Sequence, residues 1–249
     1  MKRVIILLSF LLLALPGAAL AANLDFGVAP QGITIDTFYN GASVTVEGAA
    51  PEGADLVVRF SGAPEKVAMK QKGKAFGLLW MNMNTLHFDG VPKVFLVEST
   101  LPLKALGAVG PTLGLDGLTD KVGIEPATAD RAMLLPELVK LKKSEGLYRE
   151  RTGAVTLGES AGGQRKFSAH LAIPSRLSPG EYAIEVIAVK DGLIVAQSSQ
   201  PMSAKMIGAP AFLADLAFNH AVWYGVLASI IAIIAGLGIG LVFQSKGAH

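Results

Sequence analysis

The sequence predicts a mainly β protein with a helical insertion and one C-terminal transmembrane helix. Three observations predict this. Short β-branched and aromatic runs separated by turn residues occupy both flanks of the chain; the middle, about residues 101–151, carries a helical period; and residues 222–243 are apolar without a single charge.

The early strands are Ile33-Thr34-Ile35, Val44-Thr45-Val46, Leu56-Val57-Val58-Arg59-Phe60 and Val94-Phe95-Leu96-Val97. Asn40-Gly41, Pro51-Glu52-Gly53, Gly62-Ala63-Pro64 and Gly90-Val91-Pro92 supply the turns between them. In the middle, Met133, Leu134, Leu138 and Leu141 recur at helical spacing, and Pro136 is expected to open a second helix at its first turn. Lys140, Lys142 and Lys143 then crowd a last turn that Gly146 ends, as a solvated helix terminus would. Late in the chain Phe167, Ala169, Leu171 and Ile173 alternate with polar residues, Tyr182-Ala183-Ile184-Glu185-Val186 follows Ser178-Pro179-Gly180, and Asp191-Gly192 makes a two-residue hairpin turn. Three late strands are too few for an independent sheet. The expectation is therefore one immunoglobulin-like antiparallel β-sandwich (residues 22–210) in which early and late strands pack together; two separate domains is the alternative.

The two ends have different jobs. Met1-Lys2-Arg3, an apolar run over residues 4–15 and Ala19-Leu20-Ala21 have the order of a secretory signal peptide, 1–21, cleaved after Ala21. The run 222–243 would rise about 33 Å as a helix, enough for a hydrocarbon core of about 30 Å. Being apolar on every face, it does not suit the one-sided burial of an ordinary core helix. Trp223 and Tyr224 stand at one edge and Lys246 beyond the other, so 211–221 is a juxtamembrane segment and 244–249 a cytoplasmic tail.

Setting the ends aside changes the sign of the charge. Of 22 Lys and Arg, three (Lys2, Arg3, Lys246) lie outside the displayed part, leaving 19 against 20 acids. The sequence pI near 8.8 is thus no sign of a nucleic-acid partner. With no cysteine, the exported domain is held by its core rather than by disulfides.

Several residue patterns invite chemistry. Gly158-Glu159-Ser160-Ala161-Gly162 matches the G-x-S-x-G nucleophile elbow, but that elbow needs a strand-to-helix turn, whereas a strand follows here. Its acid and histidine would have to be Asp191 or Asp215 with His220 at the membrane edge, so an exported serine hydrolase is only a remote alternative. Trp80, Met81, Met83 and His87 fall within eight residues, and thioethers with an imidazole suit Cu(I). The same Trp-Met strand equally suits sandwich core. His170 has no partner histidine at ligand spacing, and no phosphate loop or dinucleotide fingerprint is present. Tyr182 has the place of a tyrosine that pins a strand corner. In the terminal run Ala232, Gly236 and Gly240 form a small-residue stripe, with Gly238 beside it, that lets a second helix approach closely.

Gly77-Leu78-Leu79-Trp80-Met81-Asn82, Gly146-Leu147-Tyr148, the stretch 167–174, Pro179-Gly180-Glu181-Tyr182, Asp191-Gly192 and Tyr224-Gly225, in this order, resemble the alphaproteobacterial putative transmembrane protein family over nearly the whole mature chain. The resemblance implies a bacterial inner-membrane protein with a periplasmic domain and no assigned activity. Members are often encoded beside a sulfite-exporter (TauE/SafE) type permease, which implies an accessory role. The expected function is therefore non-enzymatic and cofactor-free, with the lipid bilayer, a multi-span permease or a second copy as partner; a Cu(I)-binding module is the alternative.

Overall fold

Leu56, Val57 and Val58 are consecutive and all fully buried, so their strand has a core on both faces. In the computed structural model, which describes residues 24–244 apart from residue 77 and residues 127–129, that strand is the middle of three layers.

The described residues form thirteen strands: β1 (Phe26–Ala29), β2 (Gly32–Ile35), β3 (Ala42–Pro51), β4 (Asp55–Gly62), β5 (Pro64–Ala75), β6 (Leu79–Pro92), β7 (Phe95–Ser99), β8 (Gly123–Glu125), β9 (Tyr148–Thr152), β10 (Val155–Ala161), β11 (Gln164–Ile173), β12 (Gly180–Lys190) and β13 (Leu193–Met206). A four-stranded sheet has the order β1-β3-β11-β10, and a six-stranded sheet the order β2-β13-β12-β4-β7-β9. Both mix early and late strands: β3 pairs with β11 over ten residues and β4 with β12 over eight. Antiparallel pairing dominates, with β2–β13 and β7–β9 as parallel exceptions.

The protein is thus mostly β, as its alternating apolar runs predict. Between the two sheets lies a first core in which Val44 and Val46 of β3, Phe60 of β4, Leu171 of β11 and Ile184 of β12 meet. Phe60 stacks on Tyr182 with centroids 5.0 Å apart and ring planes 9° apart. The Tyr182 hydroxyl donates to the carbonyl of Ser178 at 2.5 Å, pinning the entry to β12, and burial holds that phenol above its ordinary pKa.

A second core lies on the opposite face of the six-stranded sheet. Val57, Phe95, Val97 and Ile187 of that sheet pack there against Leu113, Leu118, Leu135 and Leu138 of the helical insertion and Phe88 of β6. The insertion comprises a 3-10 segment (Leu103–Val109), α1 (Gly110–Leu113), α2 (Leu115–Thr119) and α3 (Arg131–Ser144), besides β8 and β9. Two expectations are corrected. Pro136 sits inside the single helix α3 rather than at the start of another, because the helix begins earlier, where the Asp130 side chain accepts from the Met133 N–H at 3.2 Å. Lys142 is buried rather than solvated, with Nζ 3.4 Å from Glu65 Oε1, since this last turn packs on the base of the β5–β6 hairpin. Gly146, at φ +76°, ends the helix as predicted.

After β13 come α4 (Gly208–Asn219) and α5 (Ala221–Gln244). No residue of α4 is buried. The expected signal peptide, 1–21, and most of the expected tail, 245–249, lie outside the described residues.

Candidate functional site

Two regions leave their apolar residues uncovered, and the sequence singled out residues in both. The first is the β5–β6 hairpin. Its base belongs to the second core through Leu86, Phe88 and Val91, and β8 adds a third strand only opposite residues 87–89. Beyond Leu86 the hairpin continues as a two-stranded ribbon ending in Phe76 and Leu78.

The sequence reading of Trp80, Met81 and Met83 as sandwich core is corrected here: all three are exposed, Trp80 at 69 %. Length is the reason. The ribbon outruns the elements that could cover it. The expected soft-metal ligands also separate. The register places Met81 opposite Gly73 and His87 opposite Ala68, and an extra residue in β6 at Met83 shifts the alternation. Residues 68 and 73 of the regular strand β5 lie on opposite faces, so Met81 and His87 do too. Met83 stays with Met81, its Cγ only 2.7 Å from where a Cβ on Gly73 would stand. The structure therefore places both methionines on one face and the imidazole on the other, about 13 Å further along the strand from Met83. Among the described residues no group of three or more His, Asp or Glu is placed to hold a metal ion.

The second region is α5. Residues Ala221–Phe243 have a mean hydropathy of 2.7, and the span is not buried in the chain's own fold. It is the one helix among the described residues long and apolar enough to cross a membrane. A Cβ added at Gly236, Gly238 or Gly240 would meet nothing within 4 Å, so the stripe they form with Ala232 is open. Trp223 and Tyr224 stand in the first turn of α5, just after a break at His220.

Of the remaining sequence candidates, His220 and His170 have local partners. Ser160 lies on β10 next to the two-residue turn Gly162-Gly163, both at positive φ, and β11 follows directly. His220 Nε2 is 4.0 Å from Asp215 Oδ2 at the α4–α5 junction. The His170 ring nitrogen Nδ1 is 3.1 Å from the Thr45 hydroxyl across the β3–β11 pair.

Sequence reasoning missed Glu98. It occupies β7 with its side chain 1 % exposed, 3.6 Å from Arg151 and 3.9 Å from Arg149, and neither carboxylate oxygen has a hydrogen-bond partner among the described residues. Burial pushes its pKa above the ordinary carboxylate value, against the opposing pull of Arg151 and Arg149. The only available signal was an acid inside the β run 94–99. A raised folded-state pKa means the protonated form favours folding, so that contribution is full below the unfolded-state pKa and lost as pH rises through the folded one. Both arginines are partly exposed and can be hydrated without their partner. Glu98→Met is therefore expected to stabilise the domain by about 1 kcal/mol at neutral pH, with the gain fading toward acid. Denaturant midpoints measured across that pH range check it, and a clear loss at neutral pH would show that the ion pairs outweigh desolvation.

A β-sandwich followed by one candidate membrane span near the C-terminus defines the class of protein. The chain belongs to the family described as "Putative transmembrane protein (Alph_Pro_TM)", which it matches over residues 23–245. No curated protein and no solved structure matches it.

Proposed function

We propose that this chain is a non-enzymatic accessory protein of the bacterial inner membrane, its sandwich displayed in the periplasm and its α5 helix spanning the bilayer and associating with a neighbouring helix. One observation carries the reading: a 23-residue apolar helix that is not buried in its own fold and whose open glycine stripe lets another backbone approach. The signal-peptide pattern of residues 1–21 supports the orientation, since export and cleavage there would leave the sandwich outside and the short C-terminal tail inside. The family resemblance to chains encoded beside sulfite-exporter type permeases supports a multi-span permease as partner, with a second copy as the alternative.

Gly236→Ile combined with Gly240→Ile closes the stripe without making the helix less apolar. Association should fall about tenfold, as the loss of 1–2 kcal/mol of helix packing implies, while membrane insertion stays intact. Crosslinking in native membranes, followed by mass spectrometry of what co-purifies, measures this. Equal recovery of the same partner from the double variant would refute helix association through this stripe.

A further inference from the structure

The distal half of the β5–β6 hairpin presents two different faces. On one, Leu79 and Met81 lie opposite residues 75 and 73 in the register, and Met83 lies over Gly73, so three long apolar side chains share that face. On the other, Lys70, Lys72 and Lys74 alternate along β5, and Trp80, opposite Lys74, lies with its ring centroid 5.4 Å from the Lys74 ammonium. The end of the ribbon adds Phe76, 96 % exposed, and Leu78, 83 % exposed. Such a concentration of uncovered apolar and aromatic side chains on a narrow ribbon marks a contact surface rather than scattered surface residues.

The charge says what the contact is. Between Lys66 and Phe88 there are four lysines and no acid. Lys66 is neutralised at the base by Asp89 and Glu125, 3.4 and 3.1 Å away. Lys70 donates to the Thr85 hydroxyl, and Lys70, Lys72 and Lys74 have no ion pair among the described residues. Without these four lysines, the displayed part of the chain carries 15 bases against 20 acids. The hairpin is thus a basic, apolar-tipped projection from an otherwise acidic domain that is tethered beside a bilayer.

We propose that this hairpin is a second membrane contact, docking into the anionic headgroup layer of the bilayer that α5 spans. Phe76, Leu78, Leu79, Met81 and Met83 enter the headgroup–acyl boundary, to a depth of about 5–10 Å. Trp80 takes the interfacial position that suits its amphipathic ring. Lys70, Lys72 and Lys74 lay their stems along the apolar surface and reach lipid phosphates with their ammonium groups. The ribbon, only marginally stable as two strands in water, acquires in the interface the cover its length denies it in the fold. Tether and hairpin together would restrict how the sandwich is oriented on the membrane. The inference rests on the anchoring of α5 and is independent of any helix partner.

The chain's two tryptophans, Trp80 and Trp223, make this testable one site at a time. The full chain is reconstituted into phosphatidylcholine vesicles, with or without phosphatidylglycerol, containing phosphatidylcholine brominated near the headgroup. With Trp223→Phe the fluorescence reports the hairpin; with Trp80→Phe it reports the start of α5. Trp80 emission should shift to the blue and be quenched by bromine, more strongly when phosphatidylglycerol is present. Each lysine near an anionic surface changes partitioning about fivefold, so Lys70→Gln, Lys72→Gln and Lys74→Gln together should lower the docked-to-free ratio roughly a hundredfold and abolish most of that quenching. These lysines are exposed, so the variant should fold normally. Quenching at Trp223 without quenching at Trp80 overturns the hairpin proposal and leaves the anchor standing. No quenching at either overturns both. Quenching at Trp80 that ignores both the lysines and the anionic lipid overturns headgroup recognition.

Discussion

Phe60→Ala is expected to lower the unfolding free energy by about 3–5 kcal/mol, the usual cost of truncating a buried aromatic side chain. Phe60 is fully buried in the middle of the first core, where β4 pairs with β12 on one side and β7 on the other. Its ring stacks on Tyr182, which is itself tied to Ser178, so the cavity would open beside a constrained neighbour with little freedom to collapse into it. Replacing Tyr182 with phenylalanine would keep the stack and lose only the hydroxyl's bond, worth about 1 kcal/mol. The control is Trp80→Ala, which removes a larger side chain but an exposed one and should stay within about 0.5 kcal/mol. Denaturant unfolding of the detergent-solubilised chain, followed by circular dichroism, distinguishes the two. A Phe60→Ala loss no larger than that of Trp80→Ala would mean that the two sheets are not packed as described.

The contrast between Phe60 and Trp80 also shows what was legible in the sequence. Period-two patterning identified β11 through Phe167, Ala169, Leu171 and Ile173, all buried, because one face of that strand is wet and the other dry. The Asp191-Gly192 turn was equally readable: it requires two positive φ values, and the residues have +52° and +77°. The middle layer was harder. A run such as Leu56-Val57-Val58 signals a strand but does not say that a second core covers its far face, because the covering residues, Leu135 and Leu138 among them, come much later in the chain. Trp80 and Met81 misled for the reverse reason. Composition identifies an apolar side chain, but only the lengths of neighbouring elements decide whether anything reaches it. Met81, Met83 and His87 look like ligands of one metal ion in the sequence because nothing there marks the extra residue at Met83, which moves His87 to the opposite face. Glu98 was invisible because one acid in a strand gives no hint of which side it faces.

The terminal helix carries the other large effect. Replacing Ile231 and Ile234 with aspartate is expected to raise the insertion free energy of α5 by about 6–8 kcal/mol, since each change removes an apolar residue and adds a charge near the helix centre. That should empty the integral membrane fraction, as measured by resistance to alkaline carbonate, while Ile231→Leu with Ile234→Leu leaves it full. No other helix among the described residues meets the length and hydropathy needed for a span, and α4, with exposed Phe212, Leu213 and Phe218, is only 12 residues long, too short to take over. If the aspartate variant stayed carbonate-resistant, α5 would not be the anchor. A weaker attachment should nevertheless remain at neutral pH and low salt. The hairpin's lysines still face anionic headgroups, and Phe76 and Leu78 still lie at its tip. That residual binding should be released by salt, because exposed charges are screened beyond about 8 Å at physiological ionic strength and closer in as salt rises. Losing carbonate resistance while keeping salt-sensitive binding would therefore separate the two contacts in one fractionation: the first reads the span, the second the hairpin.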